Sequence, residues 1–140
     1  MPAKATRKKA LNGQQADFPA TFNALRAILA PYERKGMRVV HDTPDYYCIE
    51  TRFPVMGRSP VMFAAVRKGK GYVSYHLMPI YMNGPLQQRV SVELKRRKQG
   101  KACFNFLKPD EKLFAELAEL TRLGFEAFKK LGQAGVSTVK

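Results

Sequence analysis

Acidic side chains are scarce in this chain of 140 residues. It has 11 Asp and Glu against 25 Lys and Arg, for a formal charge of +14. Long apolar runs are missing too: no stretch of 18 apolar residues exists, so no segment reads as a membrane-spanning helix. The basic start, Met1 to Lys9, is followed by Asn12-Gly13-Gln14-Gln15 and not by the apolar core of a signal peptide. Cysteine is limited to Cys48 and Cys103, which excludes a disulfide-built scaffold and zinc-ligand spacing. The expectation is a cytosolic protein with two reduced, packed thiols. No second domain and no internal repeat is visible.

What is present is a core. Apolar residues make up 45% of the chain, and nine Phe and six Tyr are included, which is too apolar for a disordered basic tail. One α+β domain is predicted over residues 17–132, after a disordered basic arm (1–16) and before a frayed tail (133–140).

Asp17-Phe18-Pro19 marks a helix start, with Asp17 as the cap and Pro19 in the first turn. Phe22, Leu25, Leu29 and Tyr32 follow at helical spacing, Pro31 weakens the last turn, and Gly36 suits the stop. Strands are predicted at Met37–His41, Tyr46–Thr51, Val61–Arg67, Tyr72–Met78 and Ala102–Leu107. The Gly-containing loop after Arg67 makes the third and fourth strands an antiparallel hairpin. Ser91 caps a short helix predicted over Val92–Gln99, with Gly100 as its stop. Pro109 opens a long closing helix whose stripe is Leu113, Leu117, Leu120, Leu123 or Gly124, Phe128 and Leu131, ended by Gly132. The pattern gives a mostly antiparallel five-stranded sheet with the N-terminal and C-terminal helices on one face.

Several phrases resemble the YdhG-like family of small bacterial proteins of unknown function. They are the Phe18-Pro19 helix start, the strand Gly71-Tyr72-Val73-Ser74-Tyr75, and the run Gly100-Lys101-Ala102-Cys103-Phe104-Asn105-Phe106 before the closing helix. The resemblance covers about residues 17–131. It implies a frataxin-like fold, with two main helices on a five- or six-stranded antiparallel sheet. It also implies an alternative function, since some members are called iron chaperones. Iron binding of that type uses exposed carboxylates on the first helix and first strand. Here the first helix offers only Glu33, and Asp42, Asp45 and Glu50 are interleaved with Arg38 and Arg52. The chain departs from the iron-binding pattern, and fold analogy does not carry function.

The positive charge is unevenly placed. Residues 61–108 hold Arg67, Lys68, Lys70, Arg89, Lys95, Arg96, Arg97, Lys98, Lys101 and Lys108 against Glu93 alone, whereas residues 109–131 are near neutral. Two sets of cations are candidates for anion binding: Arg67, Lys68 and Lys70 around the hairpin turn, and Lys95, Arg96, Arg97, Lys98 and Lys101. On a helix, residues 95–98 would spread over all faces, so two or three at most would act together. A solvated helix that aids solubility is the plain reading; weak contact with nucleic-acid phosphates or another anionic partner is the functional one. Tyr81 and Phe106 are candidate stacking platforms, though alternation in strands more often makes aromatics core. The density of Tyr46, Tyr47, Tyr72, Tyr75 and Tyr81 also suggests a Tyr-lined sheet face as a ligand surface.

Enzymatic patterns are not apparent. Arg67-Lys68-Gly69-Lys70-Gly71 lacks the helix that follows a phosphate loop and reads as a hairpin turn. His41 and Asp42 are consecutive in a strand and point to opposite faces, so they do not share a metal. No metal or cofactor is expected. Cys103 and His76 form a conceivable nucleophile–base pair if the fourth and fifth strands are neighbours.

Overall fold

The computed structural model describes residues 16–139, and of residues 132–139 the backbone only. Helix α1 (Phe18–Leu29) begins where expected: the Asp17 carboxylate accepts from the Ala20 amide at 3.1 Å. Pro31 then tightens the chain into a 3-10 turn over Ala30–Arg34, and Gly36 takes φ +84° to leave it. Strands β1 (Met37–Asp42), β2 (Tyr46–Thr51), β3 (Met62–Lys68) and β4 (Val73–Leu77) follow as an antiparallel meander.

The chain next forms three short helices: α2 (Met78–Met82), α3 (Gly84–Arg89) and α4 (Val92–Lys95). It returns through β5 (Lys98–Gln99) and β6 (Cys103–Phe106) to α5 (Glu111–Val139). The six strands are ordered β1-β2-β3-β4-β6-β5, all antiparallel. The molecule is therefore α+β, as read from the sequence, with six strands in place of five.

Three local readings are corrected. The predicted helix Val92–Gln99 stops at Lys95, although Ser91 caps it as expected, accepting from Leu94 at 3.1 Å. Lys98 and Gln99 leave the helix to pair with Phe104 and Cys103, because edge pairing satisfies their backbone where one helical turn does not. Helices α2 and α3 were not expected; Pro79 and Pro85 sit in their first turns, where a missing N–H is harmless. Gly132 does not end α5, which continues to Val139. The basic arm, apart from Ala16, lies outside the described residues.

Strand pairing sorts side chains by face. Tyr47, Val66, Tyr75 and Phe104 pair in one row, and Ile49, Ala64 and Leu77 in the next. They join Phe22, Leu25 and Leu29 of α1 and Leu117, Leu120 and Phe128 of α5 in the buried core. Both long helices thus cover one face. The row on the other face reads His41, Cys48, Ala65, His76, Cys103 and Gln99, one residue per strand from β1 to β5. Beside it runs Tyr46, Arg67, Ser74 and Asn105.

Candidate functional site

The basic run becomes a site because it leaves its helix. Arg96 ends α4, the Arg97 amide donates to the Leu94 carbonyl at 2.9 Å, and the Asn105 amide donates to the Arg97 carbonyl at 2.8 Å. Lys98 then enters β5. This turn from helix into edge strand gathers Arg96, Arg97 and Lys98 on one cleft of about 380 Å³, with Tyr72, Asn105 and Leu107 completing its walls. Among the described residues none of the three cations makes a salt bridge. Tyr72 and Leu107 are 39% and 46% exposed, so an aromatic ring and an apolar side chain border the charge. Arg96 and Arg97 also line a second hollow of about 300 Å³ with Glu93, Asp110 and Lys112, where the charges are mixed.

The other predicted cations are elsewhere or differently engaged. Lys70 is exposed in the hairpin turn, next in sequence to Gly71 on the cleft wall. Lys68 pairs with Asp45 at 3.5 Å, and the Arg67 guanidinium lies 5.4 Å from the centre of the Tyr46 ring on the second sheet face. Lys101 stands over the Tyr81 ring at 5.5 Å, and Lys95 is exposed on α4. The candidates therefore do not act as one set of eight.

The expected stacking residues change as well. Phe106 is 1% exposed and packs edge-on against Phe114, so it is core. Tyr81 is exposed but belongs to α2, under Lys101. Tyr72 borders the cleft instead. The Tyr-lined face is not formed, because Tyr47 and Tyr75 are fully buried under the helices. Burial raises both phenol pKa values, and for Tyr47 the hydrogen bond its hydroxyl makes to Glu33 adds to the effect.

The carboxylates relevant to iron are already occupied. Asp42 takes both oxygens to Arg26 at 3.1 Å, Glu50 pairs with Arg38, Asp45 with Lys68, and Glu33 accepts from Tyr47. No three of His, Cys, Asp and Glu come together as a metal site among the described residues. His41 stacks on Tyr46 at 4.5 Å while Asp42 turns to Arg26. No described helix is long and apolar enough to cross a membrane.

One pair considered from the sequence does form. His76 on β4 is directly opposite Cys103 on β6, with Nδ1 in contact with Sγ.

No family model, curated protein or solved structure matches this chain.

Proposed function

We propose that this is a non-enzymatic, cytosolic domain of the YdhG-like type that binds an anionic polymer, single-stranded nucleic acid being the class that best fits the cleft. The observation that carries this reading is the convergence of Arg96, Arg97 and Lys98, none of them in a salt bridge among the described residues, beside the exposed ring of Tyr72. Three cations on one groove contact successive phosphates, and an adjoining ring offers a face on which a base stacks. A duplex keeps its bases stacked inside and gains only the phosphate contacts.

The layering supports the YdhG-like, frataxin-like resemblance: two long helices cover one side of an antiparallel sheet. It does not favour iron binding, since Glu33, Asp42, Asp45 and Glu50 each already hold a partner.

A salt series tests the proposal. Binding to a labelled single-stranded oligonucleotide should weaken with a log–log slope of about −2, the value for three phosphate contacts on a single strand. A slope near zero would remove the anionic reading. Equal affinity for duplex and single strand would remove the stacking contribution of Tyr72.

A further inference from the structure

The second sheet face carries a chemical grouping that polyanion binding does not use. His76 and Cys103 are cross-strand neighbours, fixed opposite each other by register, with Nδ1 and Sγ in contact. A thiol this close to an imidazole has its base already in place. Cys103 is partly exposed and so open to a small reagent, whereas Cys48 in the same row is buried at 6% exposure. The floor between Cys48 and His76 is Ala65, which leaves little bulk over the row. Nε2 of His76 is buried and has no hydrogen-bond partner, so the polar contact of the ring is the one Nδ1 makes to Sγ.

We propose that Cys103 is a reactive thiol, with His76 as its base, that takes a small-molecule disulfide and becomes a mixed disulfide. His76 Nδ1 receives the Sγ proton. The thiolate sulfur attacks one sulfur of the disulfide, a new S–S bond forms to Cys103, and the original S–S bond breaks. The departing sulfur leaves with the bonding pair and takes a proton from the imidazolium or from water. Cys103 is oxidised, the incoming disulfide is reduced to one thiol, and the modification is stoichiometric.

Register also determines what Cys103 cannot do. Cys48 is on β2, with β3 and β4 between it and Cys103 on β6. Three inter-strand steps amount to about 14 Å. A disulfide needs Cα atoms within about 7 Å, so the chain does not close its own bridge and the partner sulfur comes from outside.

Charge separation in the pair has a distinct pH signature. Burial raises the Cys103 thiol and lowers the His76 imidazole, so the neutral pair dominates over a wide range. Within that range the thiolate–imidazolium form has the same proton count as the neutral form, and its population does not change with pH. The groups sharing the face with the pair are the Cys48 thiol two strands from His76, the His41 imidazole beyond it on β1, the Gln99 amide on β5, and Tyr46, Arg67, Ser74 and Asn105 in the adjoining row. No carboxylate is in either row.

The test is the rate of reaction of the native full-length protein with DTNB from pH 6 to pH 9. Wild type should show one fast thiol with a nearly level profile around neutrality, and mass mapping should place the adduct on Cys103. Cys48→Ala should keep the fast phase and Cys103→Ala should abolish it. His76→Gln should slow it at least tenfold at pH 7 and restore the rise of about tenfold per pH unit expected of an unassisted thiol. A wild-type rate that already rises tenfold per unit, a fast phase on Cys48, or a folded His76→Gln variant with an unchanged rate would each overturn the proposal. Should His76→Gln not fold, the wild-type profile and the two cysteine variants decide the matter.

Discussion

Gly124 of α5 faces Pro79 of α2 so closely that a Cβ on the glycine would lie 2.8 Å from the proline Cβ and 2.9 Å from its Cγ. Real Cβ atoms do not approach that near, and a proline ring cannot rotate away. Gly to Ala inside a helix normally gains up to about 1 kcal/mol. Here Gly124→Ala should instead destabilise by about 1–3 kcal/mol, the usual effect of overpacking. Urea unfolding of the variant measures it, and a stabilised variant would contradict the α2–α5 contact.

Tyr75 and Thr121 meet in the core at 2.5 Å, and the Thr121 hydroxyl also reaches the Leu117 carbonyl at 2.7 Å. Thr121 has one proton, given to Leu117, so Tyr75 is the donor between them. The two removals should therefore differ. Thr121→Val leaves a fully buried phenol without an acceptor and should cost about 1–3 kcal/mol. Tyr75→Phe leaves Thr121 bonded to Leu117 and should cost less, about 0.5–1.5 kcal/mol. Denaturant midpoints of both variants and the double variant show whether the second change recovers part of the first.

Leu117 is fully buried where α5 meets the sheet. Leu117→Ala should cost about 2–5 kcal/mol through lost burial and the cavity left behind. Chemical unfolding gives the value, and no loss would show that the α5 stripe is misplaced.

The His76–Cys103 pair also shapes stability against pH. Burial lowers the His76 pKa, so the folded state binds its proton less readily than the unfolded chain. That contribution is present above the unfolded value of about 6.5 and is lost as pH falls through the lower folded value. The Cys103 pKa is raised by burial, so its contribution is present below the unfolded value of about 8.5 and is lost as pH rises through the folded one. Urea midpoints at pH 5, 7 and 9 should therefore fall at both ends. Cys103→Ala should lessen the alkaline loss, and His76→Gln the acid loss.

Much of the fold was legible because its signals are local. Asp17 and Ser91 cap the helices they were expected to cap, and Phe22, Leu25, Leu29 and Tyr32 form the stripe their spacing implied. Helices α2 and α3 were hidden because Asn83-Gly84-Pro85 has the composition of a turn. The same Asn83 is the cap of α3, accepting from Leu86 at 3.1 Å. Strand β5 was hidden for another reason: two residues carry no periodicity, and only pairing with β6 makes Lys98–Gln99 a strand. The site was legible as a charge run and not as a cleft. Convergence of Arg96, Arg97 and Lys98 depends on that helix-to-strand turn, and the position of Tyr72 depends on tertiary neighbours.

The most direct test separates a cleft from mere net charge. Arg96→Ala/Arg97→Ala removes two charges at the cleft. Lys129→Ala/Lys130→Ala removes two from α5, about 27 Å along that helix from Glu111. Binding to one labelled single-stranded oligonucleotide is measured for wild type and both variants across the same salt series. The cleft predicts that the arginine variant loses about 1.4 from the log–log slope, at about 0.7 per phosphate contact, while the lysine variant keeps the wild-type slope. Equal losses in the two variants would contradict it.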